Sequence, residues 1–271
     1  MKPANKIALW IGVAALVSLG CLIFAFWPRR IPPKKLVERP VVSPALTFPK
    51  GTGKIAIVLD DWGYSLHQLP ILKTIRQPIT VSILPSLLYT SRVAQEAKGQ
   101  GFEVILHLPM EARDPMAPRE AGTILTRMSR KQVLQMVDQS LASVPFARGA
   151  NNHQGSKATA DRSLMEVVLG EIKRRNLYFL DSRVTESSVC GDVARDLKVR
   201  YARRDVFLDN DKAPALIWER FTELAKVAAR EGSAIGIGHD RPNTLGVLKE
   251  AVPALEKAGY TLVPASELAR E

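Results

Sequence analysis

Beyond residue 50 the chain alternates short apolar runs with longer amphipathic stretches. Lys54–Asp60 (KIAIVLD), Ile79–Leu84 (ITVSIL), Phe102–Leu108 (FEVILHL), Arg148–Asn152, Leu177–Asp181 (LYFLD), Arg204–Leu208 (RDVFL), Ser233–Gly238 (SAIGIG) and Tyr260–Val263 read as strands. Helical spacing covers Leu66–Arg76, Ser91–Gly99 and Pro242–Ala258, and a long stretch from Pro214 to Glu231 that Gly232 stops. Ser129 and Asp161 supply N-caps for two further helices, running to about Val144 and Asn176. Strands that are apolar throughout are buried on both faces, and helices between them imply parallel pairing. The pattern predicts an α/β fold of about seven or eight β/α units, which fits a barrel better than an open sheet.

The first 50 residues follow different rules. Ile7–Trp27 (IALWIGVAALVSLGCLIFAFW) is apolar and carries no charge. As a helix it would be roughly 31 Å long, enough to cross a hydrocarbon core. No A-x-A-like cleavage site precedes Pro28, so residues 1–27 read as an uncleaved signal-anchor. Residues 28–50 hold six prolines and no periodic apolar pattern, as in a semi-extended linker. The predicted domain is 51–271. Arg29, Arg30, Lys34 and Lys35 after the span favour a cytoplasmic body, whereas an N-terminal first helix ahead of a large domain favours export. The export reading is preferred: a single-pass inner-membrane protein with its domain in the periplasm.

Charge supports the same division. The 271 residues carry a net +11, but residues 1–50 contribute eight basic side chains against Glu38 alone. The excess lies beside the apolar span, where anionic headgroups are the natural partner. The body is close to balanced and its aromatics are sparse, which argues against nucleic acid as a partner. Cys21 falls in the span and Cys190 is alone in the body, so no intramolecular disulfide is expected.

Candidate chemistry is concentrated at strand ends. Asp60-Asp61 close the first strand and His107 the third. Asn151-Asn152-His153 follow the short fourth run, Asp181 and Asp209 end LYFLD and RDVFL, and His239-Asp240 end SAIGIG. In a parallel barrel all these ends open on one face, the face that carries chemistry. His67 sits in a helical stretch and reads as a surface or packing residue. An aspartate with two histidines suits Zn²⁺ first, and also Co²⁺, Mn²⁺ or Ni²⁺. Adjacent Asp60 and Asp61 would point to opposite sides of a regular strand. Both reach the mouth only if the strand is ending there. No HExxH, CxxC, Walker loop or G-x-S-x-G elbow is present. Gly236 and Gly238 read as close-packing strand residues, and Trp218 as core. Trp62 and Tyr64 suit either a sugar platform or packing of the first loop.

Residues 54–65 (KIAIVLDDWGYS), 105–111 (ILHLPME), 149–156 (GANNHQGS), 179–185 (FLDSRVT), 204–209 (RDVFLD) and 235–242 (IGIGHDRP) resemble the divergent, YibQ-like polysaccharide deacetylases, relatives of the NodB-type carbohydrate esterases. The resemblance spans about residues 51–269. It implies a distorted (β/α) barrel of about seven strands, and a metal-dependent hydrolase that removes N-acetyl groups from a cell-envelope, peptidoglycan-like glycan. It assigns Asp60 as catalytic base, His239 as general acid steadied by Asp181 or Asp209, and Asp61 and His107 as metal ligands. The second histidine of the NodB pattern falls at Glu111. His153 is the replacement ligand, with Glu111 as the fallback. The NodB arginine motif is absent, leaving Arg183 or Arg241 to serve. Two alternatives stay open: a non-catalytic envelope binding module on the same barrel, and a phosphoesterase using Lys157, Arg183 and Arg241.

Overall fold

Short, parallel, doubly buried strands built around one central strand organise the computed structural model, which describes residues 47–271. The expected membrane helix at 7–27 and most of the linker lie outside the described residues. Among those described, no helix is long and apolar enough to cross a membrane.

The central strand is β1 (Lys54–Trp62). The others are β2 (Thr80–Ile83), β3 (Glu103–Met110), β4 (Gly149–Gln154), β5 (Tyr178–Asp181), β6 (Tyr201–Arg203), β7 (Val206–Phe207), β8 (Ser233–His239) and β9 (Thr261–Val263). The order is β6-β5-β4-β3-β2-β1-β8-β7, and every ladder is parallel. β8 pairs with β1 from Lys54 to Asp60, so β9 and β2 divide the other edge: β9 meets residues 54–56 and β2 begins at Val58. The sheet curls into a half-barrel. This corrects the expectation of about seven strands: there are nine among the described residues, and β6 and β7 share no ladder. Their joint, Arg204-Asp205, spans the seam instead. The Arg204 N–H donates to the Asp181 carbonyl and the Asp205 N–H to that of Ile235, each at 2.9 Å.

Seven helices pack around the sheet: α1 (Leu69–Leu72), α2 (Thr90–Gly99), α3 (Arg130–Ser143), α4 (Arg162–Arg174), α5 (Cys190–Leu197), α6 (Pro214–Glu231) and α7 (Pro242–Ala258). Ser129 caps α3 in a complete capping box with Gln132, and Asp161 caps α4 through the Leu164 N–H. α1 is one turn, shorter than the spacing of 66–76 predicts. Its N-cap Gln68 makes no side-chain bond, and Pro78 forces extension soon after.

Period-two alternation divides the apolar residues into two cores. Ile55, Ile57 and Leu59 face the helices, whereas Ala56 and Val58 join Ile105, Leu180, Ile235 and Ile237 inside the curl. Following that inner face toward the strand C-termini gives Asp60, Ser82, His107, Asn151, His153 and His239 in turn. The interior is therefore apolar below and polar at the mouth. Gly236 and Gly238 are the close-packing positions the sequence suggested: a Cβ on Gly236 would lie 2.8 Å from Leu224, and one on Gly238 2.9 Å from Thr244.

Candidate metal centre and its acid–base flank

Asp61 breaks the alternation. Leu59 pairs with Val81 and Trp62 with Ile83, so Asp60-Asp61 together oppose Ser82 alone. This is a β-bulge, and Asp61 takes the left-handed conformation at φ 67°. The extra residue turns the second carboxylate back toward the mouth beside the first. Gln154 and Arg183, at the ends of β4 and β5, also have positive φ. Such backbone is uncommon outside glycine and concentrates at functional sites.

Three side chains converge there. Asp61 Oδ1 lies 3.3 Å from His107 Nε2 and 3.2 Å from His153 Nδ1, and the two nitrogens are 3.1 Å apart. Asp61 Oδ1 is buried and has no hydrogen-bond partner. A tetrahedral ion with ligands at about 2.0–2.1 Å has ligand–ligand edges of roughly 3.3–3.4 Å. The donor set, its spacing and its orphaned oxygen fit a divalent cation. Burial tends to raise the Asp61 pKa, but the close approach of the His107 and His153 rings and the charge of His107 and His239 hold it well below the usual carboxylate range. Burial likewise works to lower the His107 pKa, and the Asp60 and Asp61 carboxylates outweigh it, so the ring's affinity for a positive charge is raised.

Asp60 flanks this trio. It is buried, its Oδ1 accepts the Asn151 amide at 2.8 Å, and its Oδ2 lies 3.7 Å from His107 Nε2. On the other flank His239 Nδ1 donates to Asp209 Oδ1 at 2.7 Å, leaving Nε2 4.0 Å from Asp61 Oδ2. Asp209 is fully buried. Its Oδ2 accepts the His239 N–H at 2.9 Å and the Thr244 hydroxyl at 2.6 Å. Desolvation lowers the His239 pKa, yet the Asp209 carboxylate, with the charges of Asp60 and Asp61, reverses it. Next in sequence, Asp240 is pushed up to about 7 by burial and by the charge of Asp61.

All five site residues predicted from the sequence therefore meet at one mouth. The open choices close as follows. Asp209 is the partner of His239; Asp181 instead accepts from Ser188 Oγ and the Arg183 N–H. Glu111 stands outside the cluster of Asp61, His107 and His153. Its Oε2 accepts the Thr126 N–H and hydroxyl, each at 2.7 Å, and its Oε1 accepts Lys157 Nζ at 2.9 Å. Burial opposes these contacts, but they hold Glu111 down at about 2. Neither candidate arginine reaches Asp60: Arg183 pairs with Glu186 and Arg241 donates to the Asp209 carbonyl. Trp62 is fully buried, so the packing reading holds for it. Tyr64 is half exposed and donates its hydroxyl to Glu120. His67 is exposed, as expected, though in a turn.

The sequence pattern of the family described as divergent polysaccharide deacetylase matches residues 57–269. The chain belongs to that family. Among fellow sequences, it is 37% identical over 227 residues to the uncharacterized protein YibQ of Escherichia coli (strain K12), covering 84% of this chain and 70% of that one. It is 38% identical over 211 residues to an uncharacterized protein of Haemophilus influenzae, covering 77% and 75%. The crystal structure of an uncharacterized protein from Agrobacterium tumefaciens C58 superposes with a TM-score of 0.76 at 25% identity, over 83% of this chain and 94% of that one. In this member of the divergent polysaccharide deacetylase family, the polar inner face of the half-barrel is the candidate centre.

Proposed function

We propose that the protein is a metal-dependent hydrolase that removes N-acetyl groups from a cell-envelope glycan. The observation that carries the reading is the meeting of Asp61, His107 and His153 at 3.1–3.3 Å spacing between a buried carboxylate and a histidine–aspartate pair. A divalent cation, zinc first, held by those three side chains would supply Lewis-acid polarisation of an amide carbonyl and a lower pKa for water.

The chain's own groups carry the proton traffic. Asp60 keeps one oxygen on Asn151 and has the other free to take the proton of an attacking water. His239 holds its Nδ1 proton against Asp209, so Nε2 is the atom that gives a proton to the departing nitrogen. The raised His239 pKa keeps that proton available near neutral pH. We place the domain in the periplasm, anchored by residues 7–27, where N-acetylated glycan is met.

The test is metal content and acetate release with the full chain, wild type beside His153→Ala, on N-acetylglucosamine oligomers. The expected result is about one Zn²⁺ per chain with acetate release, both lost in the variant. Metal binding without release from any acetylated glycan would leave a binding module as the function.

A further inference from the structure

One fully buried amide joins five consecutive strands beneath this site. Asn151, on β4, is 0% exposed. Its Nδ2 donates to Asp60 Oδ1 at 2.8 Å on β1 and to Ser182 Oγ at 3.3 Å just beyond β5. Its Oδ1 accepts the Ser82 hydroxyl at 2.7 Å on β2, and is 2.8 Å from His107 Nδ1 on β3. An asparagine has two donor hydrogens and two acceptor lone pairs, and here all four are used. The carboxylate fixes which way the amide faces, because Asp60 can only accept while ionised. Oδ1 must then face His107, and a carbonyl oxygen can only accept, so the proton of the neutral ring sits on Nδ1. The lone pair is left on Nε2, the nitrogen that faces Asp61 and His153.

We infer that Asn151 is the positioning residue that sets the tautomer and ring orientation of His107 and, through the same amide, holds Asp60 beside it. The inference rests on the proposed roles of His107 and Asp60, and it goes beyond them by naming the group that couples them. No arginine among the described residues is hydrogen-bonded or ion-paired to Asp60, so a neutral donor occupies that place. A partner of this kind, standing behind a metal-binding histidine, typically contributes 10–100-fold in metal affinity.

Two measurements on the full chain separate this inference from the proposed activity. The first needs neither metal nor substrate. In ¹⁵N-histidine-labelled, metal-free protein at alkaline pH, the neutral His107 ring carries its proton on Nδ1, and Asn151→Ala abolishes that preference. Ser182→Ala, which leaves the His107 contact intact, retains it. A wild-type ring protonated on Nε2 would overturn the inference. The second is Co²⁺ titration followed by visible absorption. Asn151→Ala weakens binding about 10–100-fold and changes the spectrum. Asn151→Asp still accepts from Nδ1 but sets a second carboxylate against Asp60, and the two then share one proton, so it binds Co²⁺ within a few-fold of wild type while losing turnover. Unaltered affinity and spectrum in a folded Asn151→Ala protein would also overturn the inference. If wild type shows the Nδ1 proton but takes up no Co²⁺, the hydrolase reading fails and the assignment to Asn151 stands.

Discussion

Pairing at the mouth sets protonation against burial. His239 and Asp209 show this most directly, because burial and pairing act in opposite directions on both. Burial lowers the His239 pKa and raises that of Asp209, and the ion pair reverses each. His239 therefore contributes stability below its unfolded value of about 6.5, and that contribution fades as pH rises through the higher folded value. Asp209 contributes above its unfolded value of about 3.9, and the contribution is lost as pH falls through the lower folded one. Asp209→Asn removes the counter-charge and leaves the burial. The His239 pKa should then fall. Ring proton shifts followed against pH in metal-free protein will show it, and an unmoved titration would mean that Asp209 is not the controlling partner. Asp60→Asn tests the base separately. Metal content should stay intact while turnover drops on the order of 10²–10⁴-fold; full turnover in that variant removes Asp60 from the mechanism.

At the level of the element, the readable part of the sequence was wherever one physical signal acted alone. Ser129 read as an N-cap, and it caps α3 in a complete box with Gln132. Ser129→Ala should cost about 1 kcal/mol and lower Tm by roughly 2–4 °C in a domain of this size. A melt within error of wild type would show that packing, not the cap, fixes the start of α3. Helix α5 went unseen although Cys190, Val193, Ala194 and Leu197 have helical spacing. It has only eight residues, and its N-cap, Val189, makes no capping bond. The site was legible because its residues all fall at strand ends. What escaped was how two neighbouring carboxylates reach one point, since nothing in Asp-Asp-Trp-Gly announces that the extra residue of the bulge is Asp61. Asn151 was visible beside His153 but not its four bonds, because its partners come from four other segments of the chain. Glu111 is the opposite case. Its position matched a ligand, but Thr126 and Lys157 had already taken both its oxygens. Gly149 is a quieter example. A Cβ there would lie 2.5 Å from the buried Tyr178 ring, whose hydroxyl is bonded to Glu103. Gly149→Ala should destabilise by about 1–3 kcal/mol, read from denaturant midpoints, and a neutral substitution would mean that β4 shifts freely.

For the whole molecule, the question is how a curled sheet stays curled when its two edge strands share no ladder. The seam is held by groups that imitate one. The Asp205 N–H donates to the Ile235 carbonyl at 2.9 Å while its carboxylate accepts the Ile235 N–H at 2.8 Å, so one residue supplies both halves of a strand pairing. Arg204 works on the other side. Its Nε donates to the Ser182 carbonyl at 2.7 Å and its Nη2 to that of Arg183 at 2.9 Å, and the guanidinium lies 3.7 Å above the Phe207 ring. Phe207 in turn stacks on His239, with centroids 6.4 Å apart and planes 15° from parallel. The seam and the proposed acid are thus mechanically continuous. Each charged-donor hydrogen bond contributes about 1.5–3 kcal/mol. Burial and the charge of Arg183 already lower the Arg204 pKa, and that strain offsets part of the gain. Arg204→Ala should therefore cost about 2 kcal/mol net and lower Tm by roughly 4–8 °C. Arg204→Lys keeps the charge but loses the planar fork and the ring stack, and should recover less than half of that. The effect on turnover distinguishes a local cost from a transmitted one. If Phe207 transmits the loosening, Arg204→Ala lowers turnover at temperatures where the protein is still folded. If turnover holds while Tm falls, the seam is a matter of stability alone and His239 is kept in place by Asp209 without it.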